Sequence, residues 1–415
     1  MKVAIIGAGP TGLLIGLKLS QKGYKVTIFE KEKKIGGLTK TFKEKDWQWP
    51  LEEFYHHLFS SDKTTQKIIQ ELNLKNKLLF LNPKTSILKD NKFLKFDTPL
   101  SVLKFPYFSF LEKIRFGIVT LYLKFSNNYF SFEKIKATQW LKKNYGEKVY
   151  KILWKPLLKA KFPIKTNQIS LSWFWARIKV RGKQLCYIKG SFKTLIKGME
   201  KEIEKNKGQI ITDHEIKNQS ELKDFDKIIF TTPSSVLLKV FENKLPQEYK
   251  DKIKKLEMLG AANLILILKE QFLKDNTYWL NINEKDYPFA VIVEHTNFVS
   301  KKYYNQKNIL YIGSFYPQNH AYLKKDKDEI LKEFLPYLKK INPSFRKKDI
   351  LNHYLFKNLH AQPLRIINYP KIMPDFKTPL QNVFLVNMQQ VYPWDRGINY
   401  AIDKGEKIIK SIDNE

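Results

Sequence analysis

The sequence predicts an α/β fold that opens with a strand, a glycine-rich turn, a helix and a second strand. Residues 2–6 form a short apolar run rich in Val and Ile, which is typical of a buried parallel strand. A glycine-rich turn follows at residues 7–12, and residues 13–22 are expected to form a helix that ends at Gly23. Residues 24–29 then form the next strand. This order is the beginning of a βαβ unit.

The glycine-rich turn has the spacing of a phosphate-binding loop. Gly7 permits the tight turn, Gly9 lets the backbone approach a pyrophosphate, and Gly12 lets the helix pack closely on the strand. The helix N-terminus offers free N–H groups to the phosphate charge, and Glu30 at the end of the second strand can accept hydrogen bonds from ribose hydroxyls. The residues expected to contact the cofactor here are Gly7, Ala8, Gly9, Pro10, Thr11, Gly12, Glu30 and Lys31. The sequence therefore predicts a Rossmann-type dinucleotide-binding domain.

The formal net charge of the chain is +33, but its composition argues against nucleic-acid binding. Arg supplies only six of the 74 basic residues, whereas proteins that read nucleic acids use the planar Arg fork heavily. Abundant Lys, Ile and Asn with little Arg is the composition that an AT-rich genome gives without any function. Attraction to an acidic membrane surface or an acidic substrate is the open alternative.

The cysteine content and the hydropathy pattern limit the remaining classes. A single cysteine, Cys186, excludes a disulfide framework and a Cys-rich zinc site, so no metal is expected. Reduced cysteine is compatible with a cytoplasmic protein. No apolar run reaches the roughly 18 residues that a membrane-spanning helix needs, so any membrane contact is expected to be peripheral.

A glycine pair follows the second strand closely. Gly36 and Gly37 let the chain pass near a bound cofactor, and they are followed by Leu38 and Thr39, which are also expected at the cofactor. This segment resembles the second motif of the superfamily of FAD-containing amine oxidases, protoporphyrinogen oxidases and phytoene desaturases. That superfamily usually has Arg where this chain has Leu38. The resemblance implies an FAD-dependent oxidoreductase, and because Cys186 lies in no linkage motif, the FAD is expected to be non-covalent.

Further segments resemble the same superfamily in the same order along the chain. Residues 47–59 look like the segment that brings a His or Gly toward the flavin, and residues 71–74 look like the end of its "ELGL" helix. Residues 190–192 look like the start of the return to the FAD domain. Residues 209–216 are expected to form strand, turn and strand, and residues 226–233 a buried strand. The cofactor contacts implied there are Ile216, Thr232 and Pro233.

Residues 382–411 look like the closing motif of the superfamily. A strand at 383–386 and a helix at 398–411 are expected, with Gly397 at the helix start, where N–H groups and the positive end of the dipole face the flavin. The superfamily normally has "GE" or "GD" where this chain has Asn387 and Met388, and an amide can replace the carboxylate in a ribityl hydrogen bond. The cofactor contacts implied here are Asn387, Arg396, Gly397, Ile398 and Asn399. Arg396 can pair with Asp395 or with a cofactor phosphate.

The expected domain organisation is discontinuous. Residues 1–60, 186–240 and 375–415 make a GR2-like FAD-binding domain, and residues 61–185 and 241–374 make an inserted α+β substrate domain with a helical part. Residues 261–268 are expected to be a buried strand of that domain.

An apolar stripe at helical spacing runs through residues 99–130 of the substrate domain. Its members are Phe108, Leu111, Ile114, Ile118, Leu121 and Phe125. The favoured interpretation is a helix facing the core. The alternatives are a wall of an apolar substrate tunnel or a monotopic membrane patch.

The candidate catalytic residues are His56 and His57, since His is readily tuned for proton transfer, although packing in the interdomain core explains them equally well. The candidate substrate-pocket residues are Tyr392, Trp394, Arg177, Trp279 and His295. Tyr392 and Trp394 precede the last helix and can form an aromatic wall. Arg177 and Arg181 can bind an anionic substrate or lie on an exposed helix face.

The leading functional interpretation is hydride transfer from a small-molecule or lipid-like substrate to FAD, by an oxidase or desaturase. A second Gly-x-Gly motif is absent after residue 12, which disfavours a separate NAD(P)H site. The alternative is a flavin-dependent sugar-nucleotide enzyme resembling UDP-galactopyranose mutase, on the strength of a His-x-Phe segment at residues 57–59. A flavoprotein that only binds a partner at a membrane is the non-enzymatic alternative. Oligomeric state is not indicated.

Overall fold

The computed structural model describes residues 1–182 and 184–413. The strands are β1 Lys2–Ile6, β2 Lys25–Phe29, β3 Thr41–Phe42, β4 Leu51–Glu52, β5 Leu58–Phe59, β6 Leu78–Leu81, β7 Lys84–Lys89, β8 Lys92–Lys95, β9 Leu185–Ile188, β10 Gln209–Ile211, β11 Lys227–Phe230, β12 Met258–Leu268, β13 Thr277–Ile282, β14 Val291–Glu294, β15 Asn308–Tyr316, β16 Ile350–Pro363 and β17 Val383–Leu385. The helices are α1 Pro10–Gln21, α2 Lys63–Glu71, α3 Pro99–Leu103, α4 Phe110–Phe125, α5 Ala137–Tyr145, α6 Glu147–Val149, α7 Lys155–Lys161, α8 Leu171–Val180, α9 Lys193–Lys205, α10 Ser234–Val240, α11 Gln247–Lys254, α12 Lys327–Ile341, α13 Tyr369–Ile372 and α14 Ile398–Asp413.

The first sheet is parallel and contains the expected βαβ start. Its strand order is β10-β2-β1-β11-β17, with β1 in the centre. Four of the five residues of β1 are buried, because helices cover both faces of the sheet. Helices α1, α9 and α14 pack on one face, and α10 and α11 share the core of the other. The predicted α/β fold with a Rossmann-type domain is confirmed.

The second sheet has seven strands in the order β16-β12-β15-β14-β13-β7-β8. Every pairing in it is antiparallel except that of β13 with β7. All eleven residues of β12, which extends the expected strand, are buried. Helix α12 packs on one side of this sheet, while helices α3 to α8 form a separate aromatic-rich core beside it. This arrangement is α+β with a helical part, and its role as the substrate domain stays a prediction.

The packing moves two of the expected domain boundaries. Ile68 and Ile69 of α2 are buried in the same core as α1 and α14, so the FAD-domain layer continues past residue 60. Leu237 of α10 and Ile253 of α11 are buried beside β1 and β11, so the second segment continues past residue 240. Both extensions bury apolar helix faces that would otherwise be exposed.

The expected second strand of residues 209–216 does not form. Strand β10 ends at Ile211, and the backbone N–H groups of Asp213 and His214 donate to the carbonyls of Glu32 and Glu30. The segment therefore closes over the end of β2 as irregular chain, because β2 already pairs with β1 and β10. Ile216 is buried in the core beside that strand.

The favoured interpretation of the stripe in residues 99–130 is wrong. Phe108 is buried, but it precedes α4. The other five members are 43–76% exposed: Leu111, Ile114, Ile118, Leu121 and Phe125. The opposite face of α4 carries the buried residues Phe116 and Leu123, which belong to the core shared with α5 and α8. Periodicity identified an apolar face but not which face of the helix the protein covers.

The described residues contain neither a membrane-spanning helix nor a cluster of metal-binding side chains. No helix among them is long and apolar enough to cross a membrane. No group of three or more His, Cys, Asp or Glu residues within 1–182 and 184–413 is arranged to hold a metal ion.

Two glycine-to-alanine substitutions test how the first βαβ unit packs. A Cβ at Gly12 would lie 2.0 Å from the carbonyl oxygen of Gly7, whereas a Cβ at Gly117 in α4 would meet nothing within 4 Å. We expect Gly12→Ala to lower the free energy of unfolding by about 3 kcal/mol or more, as overpacked sites do. Gly117→Ala should raise it by about 0.5–1 kcal/mol, because alanine favours the helix. Urea unfolding of both variants measures this, and equal effects would contradict the packing at Gly12.

Candidate active site and cofactor cradle

The phosphate-binding loop and the glycine pair form one surface. Gly7 has a φ of +107° and Gly37 a φ of +55°, values that favour glycine. The N–H of Gly36 donates to the carbonyl of Ala8 at 2.8 Å, so the two motifs are bonded directly. A Cβ on Gly9 would meet only the Cα of Gly37, at 4.0 Å. The outer side of Gly9 is thus open to a ligand, as the sequence predicted for a pyrophosphate.

Helix α1 supplies the anion-binding end of this cradle. It begins with Pro10 in its first turn after Gly9, and the N–H groups of the first turn have no partner inside the helix. Thr11 is buried, and its hydroxyl donates to the carbonyl of Ala401 in α14 at 3.2 Å. Thr11 therefore fixes α14 against the loop rather than offering its hydroxyl proton to a ligand.

Glu30 lies at the end of β2, where the sequence placed it. Its two carboxylate oxygens accept hydrogen bonds from the N–H of Ala8 at 2.9 Å and from the N–H of Glu32 at 3.0 Å. The side chain is therefore held against the glycine loop with lone pairs left for further donors. Lys31 is exposed, and its ammonium group lies 3.9 Å from the carboxylate of Glu32.

The glycine pair continues into a single 3₁₀ turn, Gly37–Thr39. Leu38 is half-buried in it, and the hydroxyl of the buried Thr39 donates to the carbonyl of Gly36 at 2.7 Å. That hydroxyl proton is used inside the turn, so the expected donation from Thr39 to a cofactor does not follow from the geometry.

The carboxyl ends of β11 and β17 form the opposite wall of the cradle. The hydroxyl of Thr232 is buried and has no hydrogen-bond partner in the described part of the chain, which suits a site completed by a polar ligand. Pro233 follows at the N-cap of α10. Arg365 is fully buried and donates to the carbonyls of Met388 and Gln389 in this wall. No sequence motif pointed to this residue.

Asn387 does not have the role expected of it. Its amide nitrogen donates to the carbonyl of Thr232 at 2.8 Å and to the hydroxyl of Ser234 at 3.1 Å, and its amide oxygen accepts from the N–H of Gln389 at 2.9 Å. Both donors of the amide are used inside the protein, so a ribityl hydrogen bond from Asn387 is not indicated. The side chain instead joins the ends of β11 and β17.

Gly397 lies at the open start of α14, whereas Ile398 and Asn399 contact the protein interior. Gly397 is exposed, and a Cβ there would meet only the ring of Tyr400, at 3.7 Å, so this helix end is open. Ile398 is buried in the core. The amide oxygen of Asn399 accepts the N–H of Thr65 at 3.0 Å, which fixes α2 on α14.

The segment 51–58 lies between the two sheets and is held from both sides. The buried carboxylate of Glu52 accepts hydrogen bonds from the hydroxyl of Tyr187 at 2.7 Å and from the N–H of Phe192 at 2.8 Å. From the second sheet, Tyr311 donates to the carbonyl of Glu52 at 2.8 Å and the amide of Asn263 donates to the carbonyl of Glu53 at 2.6 Å. The residues that follow, 54–57, are thereby positioned at the domain junction.

Glu52 was not selected from the sequence, because its partners lie more than 130 residues away. Burial raises the pKa of its carboxyl to about 7, against the lowering effect of the hydrogen bonds from Phe192 and Tyr187. Such a shift is typical of a carboxyl kept away from water.

His56 and His57 lie in this segment. Nδ1 of His56 contacts the carbonyl of Phe54 at 2.6 Å, and since a carbonyl only accepts, Nδ1 carries the proton and Nε2 the lone pair. Nδ1 of His57 contacts the hydroxyl of Tyr278 at 3.1 Å. Burial lowers the pKa of His56 to about 4 and that of His57 to about 3, so both rings are neutral at pH 7. They can orient groups by hydrogen bonding but are weak bases.

Trp279 joins the same site. Its ring lies 5.0 Å from that of Tyr55 and 5.8 Å from that of His57, centroid to centroid, in edge-on arrangements. The structure thus brings together Trp279 and His57, which were predicted from the sequence. It adds Tyr55, which no sequence motif distinguished from the other aromatic residues nearby.

Three basic side chains, one carboxylate and one amide lie beside this aromatic site, and we name this group the cation cluster: Lys161, Arg177, Arg396, Asp395 and Gln362. Asp395 is held by Lys161 at 2.9 Å, by Arg177 at 3.1 Å and by the amide of Gln362 at 3.3 Å. Arg396 donates from Nε to Gln362 at 3.1 Å. Lys161 and Arg396 also lie over the ring of Phe315, at 4.8 and 5.2 Å from its centroid.

The cation cluster carries three positive charges against one carboxylate. Burial alone would raise the pKa of Asp395, but Lys161, Arg177 and Arg396 hold it well below its usual range. Burial lowers the pKa of Lys161 to about 7, although Asp395 opposes this. Arg177 lies in this cluster with its side chain 46% exposed, and its role in a substrate pocket stays a prediction. Arg396 contacts Gln362 of β16 rather than the phosphate-binding loop.

The remaining predicted pocket residues divide between the site wall and the core. Trp394 stacks on Tyr400 at 5.7 Å, and its ring lies tilted at 5.5 Å from that of Trp175 in α8. Tyr392 hydrogen-bonds Ser172, so both residues connect α8 with the closing segment. His295 is not a pocket residue. It is buried with its Nε2 at 2.9 Å from the hydroxyl of Tyr304, because the short turn after β14 directs it inward.

Comparison with known proteins agrees with this geometry. The sequence model described as "Flavin containing amine oxidoreductase" matches residues 10–388, which is most of the chain. The chain belongs to the flavin-containing amine oxidoreductase family. The chain is accordingly an FAD-dependent oxidoreductase, and FAD is its cofactor.

Solved structures share the fold at low sequence identity. The chain is similar to a putative protoporphyrinogen oxidase from Exiguobacterium sp. 255-15, with a TM-score of 0.78 and 15% identity over 99% of this chain and 98% of the other. It is similar to reduced UDP-galactopyranose mutase, with a TM-score of 0.75 and 14% identity over 99% and 96%. Identities this low establish the shared fold alone.

A closer sequence match is confined to a short segment. The chain is 48% identical over 44 residues to a 4,4'-diapophytoene desaturase (4,4'-diaponeurosporene-forming) of Staphylococcus haemolyticus. That match spans 11% of this chain and 9% of the relative. It therefore says little about the remaining nine-tenths of the chain.

The described residues fit FAD. The open side of Gly9, against which Gly37 packs closely, the free end of α1, the fixed carboxylate of Glu30 and the unpartnered hydroxyl of Thr232 are the groups that would hold a dinucleotide. When bound, FAD supplies two-electron acceptor chemistry, and the protein supplies binding, orientation and exclusion of water.

Glu30→Ala tests the ribose side of the cradle. We expect FAD binding to weaken by about 1–3 kcal/mol, the cost of losing hydrogen bonds to a charged group. Glu32→Ala is the matched control, because that carboxylate is 51% exposed and only its backbone N–H contacts Glu30. Fluorescence titration of FAD into apoprotein gives both affinities. Equal affinities for Glu30→Ala and wild type would mean that Glu30 shapes the loop without holding the cofactor.

Glu52→Gln tests the buried carboxylate through its pH dependence. Because the folded-state pKa of about 7 lies above the ordinary value of 4.5, the folded state binds the extra proton, and the stability from Glu52 falls as pH rises from about 4.5 to 7. The glutamine variant lacks this loss. Its free energy of unfolding relative to wild type should therefore rise by about 2–3 kcal/mol between pH 5 and pH 8.

Urea unfolding at the two pH values checks this difference. Glu215→Gln, at a side chain 48% exposed, is the control and should show no such change. A relative stability of Glu52→Gln that does not vary with pH would show that the carboxyl ionises as freely in the folded protein as in the unfolded chain.

Proposed function

We propose that the enzyme oxidises a small organic substrate carrying an anionic group, by hydride transfer to non-covalent FAD, in the manner of a protoporphyrinogen oxidase or desaturase. The observation that carries the proposal is the cation cluster beside the aromatic site of Tyr55, His57 and Trp279. Its three cations exceed the single carboxylate of Asp395, and an anionic ligand would balance that excess.

The two groups of residues belong to one site because they affect each other electrostatically. The charge of Arg396 opposes the rise that burial causes in the pKa of Tyr55, and it adds to the lowering of the pKa of His56. Arg177 acts in the same way on Tyr55 and His57. These effects fall off with distance, so the cations lie near the segment 51–58.

The protein's part in the reaction is mainly positioning. The cation cluster orients the anionic end of the substrate, and the perpendicular aromatic rings of Tyr55 and Trp279 supply apolar walls for the remainder. His56 and His57 are neutral, so they are proposed as hydrogen-bonding residues that orient the substrate rather than as proton stores. A hydride acceptor requires no further nucleophile from the chain.

A sugar-nucleotide reaction is the second candidate. The similarity to UDP-galactopyranose mutase supports it at the level of fold, and a cluster of Lys and Arg suits a diphosphate as well as a carboxylate. This reaction would use reduced flavin without net oxidation. The two candidates therefore differ in whether the substrate removes the colour of the oxidised protein.

An anaerobic absorbance screen of the oxidised holoprotein tests the proposal. The compounds are a porphyrinogen with carboxylate side chains, a UDP-sugar, a primary amine and a polyene. We expect the porphyrinogen to bleach the visible flavin peak and the amine and the polyene to leave it unchanged. Conversion of the UDP-sugar only by reduced protein would establish the second candidate. Bleaching by the amine or the polyene alone would exclude an anionic substrate class.

Lys161→Arg tests the cation cluster by pH. Since the pKa of Lys161 is lowered to about 7, the wild type loses this charge between pH 6 and pH 8, whereas Arg keeps it. The KM for the bleaching anion should rise about tenfold in wild type, as for a lost hydrogen bond to a charged group, and stay level in the variant. Lys159→Arg, exposed on the same helix, should behave as wild type. If the KM of Lys161→Arg changes with pH in the same way as the KM of wild type, Lys161 does not bind the substrate.

A further inference from the structure

Helix α4 presents its apolar face to solvent. Seven large apolar residues of the helix are 43–76% exposed: Phe110, Leu111, Ile114, Ile118, Leu121, Tyr122 and Phe125. At about 100° per residue they share an arc of about 120° on the side opposite the buried Phe116 and Leu123. Exposed apolar residues scattered singly are ordinary, but a continuous stripe along four turns marks an interaction surface.

The stripe continues onto neighbouring elements. Leu100 and Leu103 of α3, which packs beside α4, are 59% and 54% exposed. Phe130, five residues beyond the end of α4, is 65% exposed. We call the α4 stripe together with these three residues the apolar patch.

The edges of the patch are basic. Between residues 99 and 136 the basic residues are Lys104, Lys113, Arg115, Lys124, Lys134 and Lys136, and the acidic residues are Glu112 and Glu133. On the helical wheel Lys113, Arg115 and Lys124 flank the apolar arc, while Glu112 lies on its far side, where it caps the helix and pairs with Lys148. Arg115 and Lys124 donate to backbone carbonyls of α5 and α8, so they fix positive charge at this edge, whereas the long side chain of Lys113 can extend to a negatively charged surface.

We propose that the apolar patch is a docking surface for an anionic lipid bilayer, with α4 lying in the plane of the interface. A bilayer offers an apolar interior to the stripe and negative head groups to the flanking cations. Among the described helices none can span a membrane, which agrees with α4 lying on the bilayer rather than crossing it.

The other two occupants of such a face fit less well. A substrate tunnel would enclose these side chains, but they lie on the convex outside of the helix and are largely exposed. A second copy of the chain would bring another formal charge of +33 against the same basic edges, and this repulsion opposes self-association.

Vesicle flotation of the FAD-loaded protein tests the docking surface. The vesicles are phosphatidylcholine alone or with 30% phosphatidylglycerol. The test variant is the double substitution Ile118→Glu with Phe125→Glu, at side chains 63% and 74% exposed, so folding should be unaffected. The matched control is Leu351→Glu with Leu359→Glu, which places the same charges on exposed leucines of β16, at 44% and 49%.

We expect wild type and control to float with the anionic vesicles, and the α4 variant to bind them at least tenfold more weakly with an unchanged melting temperature. Binding of wild type should fall in high salt and be weak on phosphatidylcholine alone. Failure of wild type to float, or equal flotation of the α4 variant, would overturn the proposal. A dimer that only the α4 variant disrupts, without vesicle binding by wild type, would assign the patch to a second copy instead.

Discussion

The buried carboxylate of Glu52 is the contact on which the geometry of the site depends. Tyr187 and Phe192 donate to it from one side, and Tyr311 from the second sheet donates to the carbonyl of the same residue. One residue therefore ties the segment 51–58 to both halves of the molecule. A buried carboxyl is costly unless its hydrogen bonds are satisfied, so this position is tightly specified. The residues that follow it, Tyr55 to His57, owe their placement at the domain junction to that specification.

The positive charge of the site is concentrated in the cation cluster. The cation cluster is assembled from α7, α8, β16 and the segment before α14, so it forms only when these separate elements pack together. Its neighbours are neutral rings, because burial and the nearby cations keep His56 and His57 unprotonated. The site thus combines fixed positive charge with an apolar aromatic surface. Helix α8, which carries Arg177, packs against the buried face of α4, so the proposed membrane face lies on the other side of α4 from the cation cluster.

The sequence predicted best what is local. Strand β1, the glycine turn, Glu30 and the glycine pair follow from residues close together in the chain, and the structure bonds Gly36 to Ala8 directly. Lys161 and Gln362 were missed because they meet Asp395 only through tertiary packing across long stretches of chain. Asn387 was misassigned because a motif position does not reveal that both amide donors are used by Thr232 and Ser234. The α4 stripe was misjudged because periodicity shows that a face is apolar but not what covers it.

The proposed reaction requires one FAD, bound without a covalent bond in the cradle of Gly9, Gly37 and Glu30. The most direct measurement is the visible spectrum of the purified protein, followed by heat denaturation and chromatography of the supernatant. We expect the purified protein to be yellow and to release close to one FAD per chain into the supernatant. A colourless protein that binds NAD and rejects added FAD, or a flavin that remains with the denatured chain, would contradict it.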